Sequence, residues 1–119
     1  MHDIYFYEDS SGNAPVIEFI TELASMNGKD ARIRLNKVQD YINILKVHGK
    51  SAGMPYMRQV DGDIWEIRPT SDRVFFAGVF GDSFVLLHHF KKKTQKTPKR
   101  EIEQAHRELA DFLKRSEEE

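Results

Sequence analysis

The stretch SFVLLHHFKKKTQKTPKREI, residues 83 to 102, decides how the chain is read. Its apolar run, Phe84 to Leu87, is too short for a typical helix and follows a Gly81-Asp82 turn signal. It reads as a buried strand. The strand passes through His88, His89 and Phe90 into Lys91, Lys92 and Lys93. Six of the ten residues from 91 to 100 are Lys or Arg, and none is acidic. A strand that leaves the core straight into cations suits a phosphate backbone. The tract reads equally well as a solvated, lysine-rich loop. Thr97 then suits the N-cap of a closing helix, with Pro98 at its first position. Ile102, Ala105, Leu109 and Leu113 form the stripe of that helix.

Upstream, Arg73 to Phe80 is a second apolar strand and Ile64 to Arg68 a third, stopped by Pro69. Connections of two to four residues make these strands an antiparallel meander. Tyr56 to Val60 is a candidate short strand. Before it, Ala31, Leu35, Val38, Ile42 and Leu45 give a helix over about Lys29 to His48 a buried seam. An earlier helix opens near Pro15, capped by Asn13 or Ser11, with Val16, Ile17, Ile20, Leu23 and Ala24 on one stripe. Asn27-Gly28 ends it so abruptly that the two helices form an αα-hairpin. Asp3 to Glu8 reads as a first strand. The expected fold is α+β, in the order β-α-α-β-β-β-α. Its sheet is mostly antiparallel and four-stranded, with the N-terminal αα-hairpin packed on it and a C-terminal helix. Residues 1–119 are read as one domain.

Composition narrows the function classes. The chain has no cysteine, hence no disulfide and no thiolate metal site, which fits a reducing cytosol. No apolar stretch approaches the roughly 20 residues of a membrane span. The opening MHDIYFYED lacks the basic start and long apolar core of a secretory signal. A cytoplasmic location is expected, with no membrane partner. Net charge is −1, but residues 1 to 28 hold five acids and no Lys or Arg, while residues 29 to 100 hold fifteen bases against seven acids. Adjacent His88 and His89 diverge on a strand, and no spaced carboxylate cluster completes a metal site. Neither metal nor cofactor is expected.

The combination IWEIRPTSDRVFF followed by VLLHHFKKKTQKTPKREIEQA resembles the HigB-type toxins of the RelE/ParE superfamily, in their phage-derived Gp49-like branch. Shared elements are the apolar-aromatic-Glu-x-Arg strand, a second Arg opening the next strand, and the Lys-Lys-Thr-x-Lys-Thr-Pro block before a helix. Lys91 departs from the pattern, which is often apolar there, and so does His89, where a small residue is common. The resemblance implies the toxin of a type II toxin–antitoxin pair, neutralised by a HigA-like helix-turn-helix antitoxin and touching operator DNA only through it. The implied activity is metal-independent, ribosome-dependent cleavage of mRNA to a 2′,3′-cyclic phosphate and a 5′-hydroxyl. Two other readings stay open: a ParE-like inhibitor of DNA gyrase, and a non-catalytic nucleic-acid-binding module.

Such cleavage needs a base, an acid and cations for a phosphorane-like transition state. Arg68 and Arg73 flank the turn Pro69 to Asp72, so both guanidiniums fall near one sheet edge. Arginine suits bidentate phosphate contact. The alternative is a surface ion pair of either with Glu66 or Asp72. Lys92 and Lys93 are the doubled lysine of the motif, with Lys92 first in line for a catalytic role. His89 shares a face with Lys91 and Lys93 and is a further candidate acid or base; a packed, hydrogen-bonded histidine is the alternative. Lys91, Lys96, Lys99 and Arg100 are expected to hold RNA phosphates.

Overall fold

The computed structural model describes residues 1–118. The elements follow as β1 (Ile4–Phe6), α1 (Pro15–Ser25), α2 (Lys29–His48), β2 (Met57–Asp61), β3 (Ile64–Ile67), β4 (Asp72–Val79), β5 (Ser83–Lys91) and α3 (Lys99–Glu117). The fold is α+β and RelE-like, with a mostly antiparallel sheet, but that sheet has five strands rather than four. The added strand is β2, built on the Tyr56–Val60 stretch and paired with β3. It is a half-buried, polar edge strand, so its apolar signal is weak.

Strand order is β1-β5-β4-β3-β2. β1 runs parallel to β5, and the remaining neighbours are antiparallel. The central strands β4 and β5 are covered on both faces, which is why they read as unbroken apolar runs rather than alternations. On one face, Val16 of α1 and Leu45 of α2 pack with Met57, Ile67, Val74, Phe76 and Leu86. On the other, Ala105 and Leu109 of α3 pack with Ile64, Phe75, Ala77, Val85 and Leu87. The seams expected of α1 and α2 are buried at Val16, Leu23, Ala31, Val38 and Leu45, whereas Ile17 and Ala24 face outward.

The expected side-chain caps do not form. Ala14 holds the cap position of α1, and the Glu18 carboxylate accepts its N–H at 2.7 Å. Ser11 and Asn13 instead donate backbone N–H groups to Asp9, building the preceding turn. Pro98 precedes the first residue of α3, and the Thr97 hydroxyl is buried without a partner.

A register shift between Val74 and Phe76 puts an extra residue on β5. Bulges of this kind re-aim side chains. Leu87 packs in the α3-side core, and His88 turns to α3 as well. His89 turns to α1, where its ring stacks on Phe19. His88 is buried, with Nδ1 2.5 Å from Glu108 and Nε2 3.0 Å from Glu101. Burial alone would lower its pKa, but the two carboxylates outweigh burial and raise it. Between Glu101 and Glu108 the ring ties α3 to the sheet, most firmly when protonated.

A group whose pKa is raised on folding stabilises fully below its unfolded value, here 6.5, and loses that contribution as pH rises through the folded value. Thermal unfolding followed from pH 6 upward, to about pH 9, is expected to show a falling midpoint. His88→Gln should flatten that slope, and an unchanged slope in the variant would count against the clamp.

Candidate active site

Within its apolar run, β3 carries one charged side chain, Glu66. Alternation from Ile64 turns Glu66 to the α3 face of the sheet, where it is fully buried. Pairing sets Arg58 of β2 and Phe75 of β4 beside it. Arg68 lies two residues beyond Glu66, and Arg73 two residues before Phe75, so both return to that face. The Glu66 Oε2 atom accepts from Arg58 Nε at 2.8 Å and from Arg68 Nη1 at 2.7 Å. Arg73 Nε lies 3.9 Å from the same oxygen.

Arg73 is 7% exposed and is held from below by its own turn. Its Nη1 donates to the carbonyls of Thr70 and Asp72, each at 2.8 Å. Thr70 sits at φ 52°, a region β-branched residues avoid, so one of these carbonyls comes from a strained turn. The backbone N–H of Lys92 donates to the carbonyl of Ser71 at 2.8 Å, which brings the end of β5 to the same turn.

Four cations thus gather around one carboxylate, leaving three positive charges over. The consequences are visible in their acidities. Burial lowers the Arg73 guanidinium, and Arg68 pushes the same way. Burial also lowers the Lys92 ammonium; Glu66 opposes this, while Arg58, Arg73 and Arg68 add to it. Glu66 Oε1 and Arg73 Nε are both buried without a partner. Cations that outnumber their counter-charge in a partly dry site favour an added anion. Chemically the cluster can clamp a phosphate and, through Lys92, exchange a proton beside it.

A second carboxylate holds the turn from the opposite face. Asp72 is fully buried and accepts Arg34 Nε at 3.0 Å, Arg34 Nη2 at 2.8 Å and His89 Nε2 at 2.8 Å. Burial would raise its pKa, but the hydrogen bonds from His89 and Arg34 overcome that and bring it down to about 2.

Of the residues singled out in the sequence, Arg68, Arg73 and Lys92 converge. Arg68 does pair with Glu66, yet the pair is not a surface one, because Glu66 has no exposed area. His89 lies on the far face with Asp72 and Phe19, not with the cations. Lys91 and Lys93 are exposed and line a separate cavity with Arg100, while Lys96 and Lys99 are exposed along the connection into α3. Arg58 is a member of the cluster that the sequence reading passed over, and Glu66 enters that reading only as a surface ion-pair partner, not as the buried hub. The signal for Glu66 was present: a lone acid at a core-facing position of an apolar strand.

The family model of the phage-derived protein Gp49-like matches residues 24–110. That span holds every member of the cluster. A comparison with curated proteins returns no match.

Glu66→Gln keeps the shape of the hub but removes its charge. Breaking a buried ion pair from one side typically costs about 3–5 kcal/mol. Denaturant unfolding of Glu66→Gln is expected to show a loss of that order. A loss within about 0.5 kcal/mol, the range of ordinary surface substitutions, would contradict a hub role.

Proposed function

The chain belongs to the phage-derived Gp49-like protein family, within the RelE/ParE-like toxins, and from there we propose that it is the toxin of a type II toxin–antitoxin pair acting as a ribosome-dependent mRNA endonuclease. The observation that carries this reading is the surplus of cations on Glu66: Arg58, Arg68, Arg73 and Lys92 stand around a single buried carboxylate. A phosphorane-like transition state carries more negative charge than the ground-state phosphate, and preorganised cations stabilise it selectively.

In the proposed reaction the ribose 2′-oxygen attacks the adjacent phosphorus and the P–O5′ bond breaks. The 2′-hydroxyl proton goes to a base, and the 5′-oxygen receives a proton. A 2′,3′-cyclic phosphate and a 5′-hydroxyl result. Arg73 and Arg68 meet the non-bridging oxygens. Lys92, whose pKa burial and the neighbouring arginines lower, is the member of the cluster suited to exchange a proton. Lys91, Lys93, Lys96, Lys99 and Arg100 hold flanking phosphates of the message. His89 acts structurally, through Asp72. The neutralising partner is a HigA-like antitoxin. We place its contact on the αα-hairpin, because residues 1 to 28 hold five acids and no Lys or Arg, away from the cations.

The test is expression in a bacterium of wild type beside Arg73→Ala and Lys92→Ala, with mapping of mRNA ends. Wild type should arrest growth and cut translated messages. Removing one transition-state cation should cost about 10²–10³ in rate, and losing the proton-exchanging lysine about 10²–10⁴. Arrest with intact mRNA and an induced DNA-damage response would contradict the nuclease reading and favour a gyrase target.

A further inference from the structure

Where β5 leaves the sheet and α3 begins, the chain forms a cavity open on one side, of about 430 Å³. That volume lies within the ~300–1,000 Å³ of small-molecule sites. Phe90 and Pro98 give it apolar walls, Lys91, Lys93 and Arg100 give it cations, and Glu101 gives it a carboxylate. It adjoins the cluster described above, because Phe90 is the cross-strand partner of Arg73.

The behaviour of Glu101 is the informative feature. Three cations share its cavity, yet among the described residues its ion-pair partner is none of them. Its Oε1 instead lies 3.0 Å from Nε2 of buried His88, whose Nδ1 is held by Glu108. The carboxylate is thus oriented from behind, by a ring clamped between two acids. Its Oε2 atom has no hydrogen-bond partner among the described residues, and the side chain keeps 19% exposure. One cavity therefore offers a fixed acceptor on one side and uncommitted cations on the other. An inorganic anion would leave the acceptor unused and would meet its charge. A ligand with both an N–H face and a phosphate uses both.

We infer that this cavity is a nucleotide subsite in which Glu101 reads the base and Lys91, Lys93 and Arg100 hold its phosphate. Guanine fits best, since its N1–H and N2–H₂ donors lie side by side and can meet a carboxylate together. Adenine and cytosine each offer one amino group. Uracil fits worst, because carbonyl oxygens flank its N3–H on both sides and face the carboxylate charge. Good base contacts discriminate by about 1–3 kcal/mol, so guanine over uracil should reach about tenfold or more. Its role in choosing the cleaved sequence rests on the nuclease reading; its existence as a binding site does not.

The experiment is an NMR titration of the full chain, following backbone amides, with 5′-GMP, AMP, CMP, UMP and inorganic phosphate in turn. GMP should give saturable shifts at Phe90, Lys93 and Glu101, with UMP at least about tenfold weaker. Glu101→Gln should erase most of the difference between GMP and UMP. Lys93→Ala, which leaves the His88 clamp intact, should weaken all four nucleotides and keep their order. Equal affinity for UMP and GMP, or phosphate binding as tightly as GMP, would overturn the inference, as would shifts absent from this cavity. If expression produced no mRNA cuts, the nuclease reading would fail while these titrations kept their meaning.

Discussion

A carboxylate with no exposed surface, Glu66, is the constraint on which the cation cluster depends. Three arginines from β2, the end of β3 and the start of β4 would repel one another if brought together without it. With it, Arg58 and Arg68 are fixed by short charge-assisted hydrogen bonds and Arg73 is kept within 4 Å. A buried ion pair of this kind is weak evidence of stability, since desolvation offsets much of the attraction. Its effect is positional. It makes a stiff positive face out of side chains that would otherwise be long, mobile and separately solvated.

The turn Pro69–Asp72 converts that arrangement into a site. On one face of the sheet its carbonyls hold Arg73; on the other its Asp72 side chain is gripped by Arg34 and His89. Two buried carboxylates, one on each face, thus fix one short segment. Arg34 belongs to α2, and His89 stacks on Phe19 of α1. The αα-hairpin is therefore linked physically to the guanidinium on the opposite side of the sheet. The β5 bulge is what permits this division of labour, since it sends His88 to α3 and His89 to α1.

Much of the architecture was legible in the residues. The heptad-like seam of α2 and the apolar runs of β4 and β5 survive in the structure because burial on both sides of the sheet demands them. β2 was only half legible, because a polar edge strand needs no apolar alternation. The caps were misread because the helices start elsewhere: at α1 the preceding turn ties Ser11 and Asn13 to Asp9 and leaves Ala14 at the cap, with its N–H on Glu18, and at α3 Pro98 takes the cap position expected of Thr97. For the site, Arg68 and Arg73 could be grouped because one short turn separates them, whereas Lys92 entered only through its place in the doubled-lysine motif of the resemblance. Arg58 could not, since its approach to Glu66 depends on the pairing of β2 with β3. His89 was misplaced with the lysines because strand alternation gives a shared face but not which face carries the cations.

The most direct test of the central claim follows the arginines themselves. The side-chain Nε–H resonances of Arg58, Arg68 and Arg73 would be recorded during titration with a short single-stranded RNA blocked by 2′-O-methylation. If the Glu66 cluster is a preformed phosphate site, these resonances shift together as RNA binds. Shifts confined to the exposed lysine tract, with the three arginine signals unmoved at saturation, would contradict it. The cluster would then be a structural ion network, and the nucleic acid would sit elsewhere.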